Sequence, residues 1–425
     1  MAYEGLNQEK KKEPEKKKRR LLYNRSSQDS SSHRCEGQKR RYSGRTERLH
    51  RGKMSFAFGF SNADLSDDEL EAVDQTTQQQ QPASVSNVVN PLDSQALLGE
   101  HVSQPKYVNV DDLLRSLVNV RLSFEEFVTP GTNSVLYRRE LFDVKHQLMS
   151  EVDSQSDENN VELEILMGET NEDLRRNIYE GGLKSWECSI DVVDSFVEKN
   201  PIPDFEFKNV IELGCGTSLP SEFVFMQYLR SGSTNGICFT LCDYNESVLR
   251  LVTLPNFIIG WAKTVLTEEQ FAQLQTTDDP NVPVLNDELL LTKALLDAFK
   301  ADLESKNISL SFISGSWGRA FMNIVSQHQI SPKENTLILT AETIYQPDTL
   351  PVISETLIEL LLQNKQHASP VKCLLAAKDI YFGVGGSIVE FEDYMTKRIQ
   401  HSNLPLKLHK FKVNAGLKRS IVLIE

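Results

Sequence analysis

Downstream of residue 205, short apolar runs alternate with longer stretches in which apolar residues recur every three or four positions. A run of four to eight apolar residues bounded by turn formers reads as a buried strand, and three-and-four spacing reads as an amphipathic helix. The pattern predicts strands over residues 210–213, 237–242, 310–314, 336–340 and 371–377, with helices over 220–229, 246–265, 350–363 and 387–400. Residues 406–413 and 420–424 follow each other across a turn and are expected to pair antiparallel. Strand-helix alternation of this kind predicts an α/β fold: a seven-stranded, Rossmann-like sheet, mostly parallel with an antiparallel last strand and helices on both faces. A helix over 190–197 leads into it, and residues 266–305 read as an insertion, partly helical and without evident chemistry.

Upstream the pattern weakens. Residues 121–127 and 135–142 read as two strands joined by Thr129-Pro130-Gly131-Thr132-Asn133, which defines a small N-terminal accessory element over 105–153. The polar, acidic stretch 154–160 is expected to link it to the main domain, 161–425. Residues 54–104, with an acidic cluster and a glutamine run, are expected to be disordered up to a short amphipathic piece near 110–114. Residues 1–53 read as a disordered basic extension, and the abrupt change at Met54 suggests that Met54 is the natural start.

Charge sharpens this division. The net charge of −14 hides 17 Lys and Arg against 7 Asp and Glu in residues 1–53, and 29 against 53 in the rest. An acidic main body repels a phosphate backbone and attracts a basic protein partner, so direct nucleic-acid binding by the main domain is not expected. No apolar stretch approaches the roughly 20 residues of a membrane span and no short apolar segment follows the positive start, so an intracellular protein is expected, with a mixed cytoplasmic and nuclear distribution if Met54 is the start. Six cysteines without a CxxC pair are expected to be reduced, and Cys238 and Cys242, on one strand face, to be small core side chains.

Candidate chemistry gathers at the carboxyl ends of the predicted strands, where ligands bind in open α/β sheets. Glu212-Leu213-Gly214-Cys215-Gly216 runs from an apolar strand through a glycine turn into a helix. Glycine lets the backbone bend and approach a ligand, and the helix start offers free N–H groups. Leu219 stands where a dinucleotide fingerprint wants its third glycine, so a ligand-free tight turn stays open and a dinucleotide oxidoreductase is disfavoured. Asp243 ends the second strand, placed to accept from both hydroxyls of a ribose. Tyr244 and Asn245 follow, either covering the nucleoside or, for Asn245, capping the next helix. Ser316-Trp317 and Glu342-Thr343-Ile344-Tyr345 close two further strand ends, with Trp317 able to stack on adenine and the acid-aromatic pair able to line an acceptor pocket. Core packing is the plainer role for Trp317 and Tyr345. Trp186 and Glu187 stand before the sheet, able to close over a cofactor or simply to start a helix.

Taken in order, Gly181-Gly182-Leu183-Lys184-x-Trp186-Glu187, Glu212-Leu213-Gly214-Cys215-Gly216, Asp243-Tyr244-Asn245, Gly315-Ser316-Trp317 and Ala341-Glu342-Thr343-Ile344-Tyr345 resemble the protein-histidine N-methyltransferases, in particular the fungal ribosomal-protein histidine methyltransferases of the seven-β-strand group. The resemblance extends from about residue 105, through Phe142-Asp143-Val144-Lys145-His146-Gln147-Leu148-Met149, to the end of the chain. It implies an S-adenosyl-L-methionine cofactor and transfer of its methyl group to a histidine of a large-subunit ribosomal protein, the third of that subunit. It further implies Trp186, Glu187, Glu212, Gly214, Cys215, Gly216, Asp243, Tyr244, Asn245, Ser316, Trp317 and Glu342 as cofactor-binding residues, and no metal. The wider group favours aspartate where this chain has Glu342, and the histidine-modifying branch favours glutamate.

Neutral imidazole already carries an in-plane lone pair, so such an enzyme needs positioning more than base strength. A carboxylate near the ring would stabilise the imidazolium that forms, and Glu342 or Glu187 is the candidate, with Tyr345 and Trp317 shaping the pocket. The glycine-rich aromatic loop over 379–387 is expected to admit the substrate backbone. Lysine methylation by a sister family stays open, as does a non-catalytic ribosome-biogenesis factor that keeps the fold, against which Gly214, Gly216 and Asp243 count.

Overall fold

In the main sheet every apolar strand is sandwiched. A computed structural model of the chain describes residues 89–154, 164–166, 174–198, 206–279, 281–328, 334–381, 383, 385–413 and 418–425. The expectations for residues 1–88 and nearly all of the 154–160 linker lie outside the described residues. Residues 82–425 belong to one compact unit.

Its strands are β1 (Lys106–Val108), β2 (Arg121–Val128), β3 (Val135–Arg139), β4 (Asn209–Leu213), β5 (Ile237–Asp243), β6 (Glu288–Leu290), β7 (Ile308–Ser314), β8 (Thr336–Ala341), β9 (Val371–Lys378), β10 (Leu408–Val413) and β11 (Arg419–Ile424). The main sheet has the order β1-β7-β5-β4-β8-β9-β11-β10. From β7 to β9 all pairs are parallel, and β11 runs antiparallel to both neighbours. Val210, Leu337 and Leu374 fall in one buried cluster, and their chain neighbours Ile211, Ile338 and Leu375 in the other. That is the period of two expected when both faces are covered. Strand order reverses at β4, between β5 and β8, which sets a ligand crevice outside the carboxyl ends of β4, β5 and β8.

Several sequence expectations are corrected. The sheet has eight strands, because β1 adds to the edge antiparallel to β7 with Tyr107 opposite Ile313. The accessory element is not built from residues 105–153 alone: the insertion supplies β6, which pairs with β2 to complete a β3-β2-β6 sheet. A three-residue strand in a polar loop leaves no readable alternation. The second accessory strand stops at Arg139, and Leu141–Ser154 is a helix. Expected disorder through residue 104 gives way after residue 88 to two 3-10 turns, Pro91–Asp93 and Gln95–Leu98, anchored by buried Leu92. Cys238 is exposed, while Cys188, Cys215, Cys242 and Cys373 are buried thiols.

The helix expected over 246–265 is interrupted. Glu246–Val248 is followed by a π turn, Leu249–Thr253, before the helix Leu254–Val265. Pro255 stands where the donor to the Leu251 carbonyl would be, and proline has no N–H. The Nη1 of buried Arg139, at the end of β3, donates to that carbonyl instead at 2.9 Å. Two side chains from this irregular stretch hold the glycine turn: Thr253 Oγ1 donates to the Gly216 carbonyl at 2.7 Å and Asn256 Nδ2 to that of Thr217 at 2.8 Å.

Candidate active site

The glycine turn after β4 is forced by its neighbours. Gly214 has φ +63°, and a Cβ there would lie 2.5 Å from Thr343 Cγ2. At Gly216, with φ +50°, a Cβ would stand 3.1 Å from the Gly182 carbonyl oxygen. Backbone approaching this closely in the left-handed region admits glycine and little else. Asp243, at the end of β5, accepts from the Gly216 N–H at 2.9 Å through Oδ2 and from the Asn245 N–H at 3.1 Å through Oδ1. Its carboxylate is therefore already aimed across the turn that a ribose would lie against.

Glu212 lies beneath the turn and is 2% exposed. Its Oε2 accepts from Ser218 Oγ at 2.9 Å and from the Ser221 N–H at 3.2 Å, which serves the start of the helix Leu219–Ser231 that Ser218 leaves uncapped. Burial raises its carboxyl to about 7, against the lowering effect of those serines. Because this value exceeds that of an unfolded glutamate, the folded chain holds the extra proton, and stability falls as pH rises from about 4.5 to about 7. Glu212→Gln is expected to flatten that part of the melting-temperature profile; a parallel decline in wild type and variant would exclude Glu212 as its source.

A cleft of about 1390 Å³ opens over these strand ends. Of the residues singled out from the sequence, Trp186, Glu212, Gly214, Cys215, Gly216, Asp243, Tyr244, Ser316, Trp317, Glu342 and Tyr345 line it. Two do not. Asn245 makes no side-chain cap; its amide holds the 178–180 loop, accepting from the Glu180 N–H at 3.1 Å and donating to the Ile178 carbonyl at 2.6 Å. Glu187 turns to Lys378 Nζ at 3.4 Å, and this ion pair and its own backbone N–H outweigh burial and lower its carboxyl pKa. Tyr244 lines the cleft with its hydroxyl engaged, accepting from the Ser103 N–H at 2.9 Å and donating to the Asn177 carbonyl at 3.0 Å.

At the far end of the cleft, carboxylates and aromatic rings interlock. Tyr381 donates to Glu342 Oε2 at 2.6 Å and its ring meets that of Tyr345 edge-on, with centroids 6.3 Å apart. Tyr345 in turn donates to Glu180 Oε2, a carboxyl raised by burial. Lys378 Nζ lies 3.7 Å from Glu342 Oε1 and above the rings of Trp186 and Tyr381 at 5.3 and 5.9 Å. Glu342 itself has φ +58°, a conformation that costs a non-glycine residue about 1–3 kcal/mol and is held where the surroundings fix it. Its Oε1 is buried without a hydrogen-bond partner, as is Trp317 Nε1. Glu180, Lys378 and Tyr381 were not read as site residues, although Lys378 ends a strand in the same way as Asp243 does, Tyr381 stands in the 379–387 loop, and Glu180 immediately precedes Gly181-Gly182.

This arrangement fits S-adenosyl-L-methionine. A glycine cradle and Asp243 suit an adenosine, and buried Trp317 Nε1 offers a donor without a hydrogen-bond partner. No group of side chains among the described residues could hold a metal, and no described helix is long and apolar enough to cross a membrane.

No protein-family model matches the chain. It is 52% identical over 375 residues to histidine protein methyltransferase 1 of Saccharomyces cerevisiae, covering 88% of this chain and 98% of that protein. Histidine protein methyltransferase 1 of Schizosaccharomyces pombe is 34% identical over 293 residues, covering 69% of this chain and 77% of its own length. Among solved structures, the rRNA methyltransferase aviRa from Streptomyces viridochromogenes aligns over 57% of this chain and 88% of its own, with 14% identity and a TM-score of 0.29.

Proposed function

Because the chain belongs to the histidine protein methyltransferase 1 family and is an S-adenosyl-L-methionine-dependent protein-histidine N-methyltransferase, we propose that its acceptor is a histidine of a large-subunit ribosomal protein, the third of that subunit. The observation that carries the site assignment is the single cleft joining the Gly214–Gly216 cradle and Asp243 to the Glu342 cluster. A strongly basic acceptor suits a main body with 29 basic against 53 acidic residues. Residence in both cytoplasm and nucleus is proposed with it.

Asp243 would hold the ribose hydroxyls, and the glycine turn at Gly214 and Gly216 would let the backbone pass close to the rest of the cofactor. Bound there, S-adenosyl-L-methionine supplies an electrophilic methyl group on a cationic sulfur. The rings of Trp186, Tyr345 and Tyr381 wall the acceptor end, and Tyr381 fixes Glu342 through Oε2. Glu342 Oε1, having no hydrogen-bond partner, accepts the imidazole N–H and turns the lone pair of the other ring nitrogen toward the methyl group. The same carboxylate then stabilises the cation that forms on the ring. No strong base is needed, since the retained N–H proton leaves afterwards.

Three outcomes test this reading. Labelled methyl transfer into a ribosomal-protein extract should give methylhistidine on one large-subunit protein; methyllysine would move the chain's acceptor to that of a sister family. With the histidine acceptor, the rate should rise as the ring deprotonates near pH 6.5 and level off above about pH 7, whereas a lysine acceptor would keep climbing beyond pH 8. Glu342→Gln should lower kcat about 100-fold while leaving S-adenosylhomocysteine affinity within about threefold. An unchanged kcat would remove Glu342 from the acceptor pocket.

A further inference from the structure

The segment before the main sheet enters the site. Ser94, Ala96, Leu97 and Val102 line the same cleft as Asp243, Tyr244, Ser316 and Trp317. This strap is tied across two strand ends: the Ser103 N–H donates to Tyr244 Oη, beyond β5, at 2.9 Å, and the Ser103 carbonyl accepts from the Ser316 N–H, beyond β7, at 2.9 Å. Its near end is anchored by Leu92, 2% exposed in the core. Arg319 adds a fork to Asp93, with Nε at 2.8 Å from Oδ1, while pairing with Glu359. Inside the turn, Gln104 Nε2 donates to the carbonyls of Leu97 and Val102 at 3.0 and 3.3 Å. The fit leaves no room for a side chain at either glycine of the β7 loop: a Cβ on Gly318 would stand 2.7 Å from Leu97 Cδ1 and one on Gly315 2.6 Å from the Gln104 carbonyl oxygen.

The sheet order fixes which part of a ligand this strap would meet. A ribose on Asp243 sits at the end of β5, and the glycine cradle and acceptor end lie toward β4 and β8. The base must therefore project the other way, toward β7, beneath the strap. Adenine has two apolar faces and needs walls for both. Trp317 offers a ring, and the half-buried aliphatic side chains of Leu97 and Val102 offer the opposing surface.

We propose that residues 94–102 form the adenine-side wall of the cofactor site, with Leu97 and Val102 making apolar contact with the base. The inference rests on the S-adenosyl-L-methionine reading and extends it to a segment outside the sheet and its connecting loops. In the full chain, the Leu97→Ala/Val102→Ala double variant should bind S-adenosylhomocysteine about tenfold more weakly in calorimetric titration. Leu98→Ala, a neighbour 63% exposed and outside the cleft lining, should stay within about twofold of wild type. Hydrogen exchange on the unsubstituted chain supplies a readout independent of any variant's folding: amides of residues 97–103 should slow when S-adenosylhomocysteine is added. Equal affinity of double variant and wild type, or unchanged exchange in the strap, overturns the proposal while leaving the cofactor reading intact. Wild type that binds no S-adenosylhomocysteine fails the cofactor reading itself.

Discussion

Asp243→Ala should abolish methyl transfer and weaken S-adenosylhomocysteine binding by at least about 100-fold. The carboxylate is 5% exposed and accepts from the Gly216 and Asn245 N–H groups. Hydrogen bonds to a charged group are worth about 1.5–3 kcal/mol each, so losing two ribose contacts costs about 3–6 kcal/mol of binding. The Gly216 N–H would lose its partner at the same time, loosening the cradle. Asp243→Asn, which keeps one acceptor oxygen and the shape, should fall between the two. Calorimetric titration checks both variants, with circular dichroism confirming that each is folded. Near-normal affinity in Asp243→Ala would displace the ribose from the end of β5.

The second large effect is on stability. Arg139→Met should cost about 3–5 kcal/mol, because removing one partner of a buried ionic network leaves the other unpaired. The Arg139 side chain is fully buried, donating from Nε to Asp143 Oδ2 at 2.6 Å, from Nη1 to the Leu251 carbonyl at 2.9 Å and from Nη2 to Gln147 Oε1 at 2.7 Å. Burial pulls its guanidinium below the usual value, opposed by Asp143. The same residue's backbone N–H donates to Asn256 Oδ1 at 2.8 Å, and Asn256 holds the Thr217 carbonyl. Arg139→Met should therefore weaken cofactor binding several-fold as well as lowering the urea midpoint. A variant that keeps the wild-type midpoint would show that the network contributes nothing net.

Much of the cofactor end was legible because its determinants are local. A strand, a glycine turn and a helix follow one another in the chain at Val210–Pro220, and only the turn's φ values and the close approach of Thr343 required coordinates. Asp243 was placed by the general rule for carboxyl ends of parallel strands. The acceptor end was only half legible. Glu342 and Tyr345 share a motif, but their partners Tyr381 and Glu180 lie 39 and 165 residues away. Glu187 stands outside the cleft lining and pairs with Lys378, which nothing near it in the chain announces.

By itself, then, the sequence determined the alternation that makes a parallel sheet, the position of the glycine cradle and of Asp243, and the family. Each of these is written in short-range periodicity or in residues within one strand-turn-helix unit. Tertiary structure alone decided the eighth strand, the accessory sheet completed by β6, the π turn before Pro255 and the strap over β5 and β7. These depend on which backbone groups a distant segment leaves to be satisfied, as Arg139 does for Leu251 and Ser103 for Tyr244. Hydrogen-bond partners separated by 112 and 141 residues leave no periodic trace in the chain that carries them.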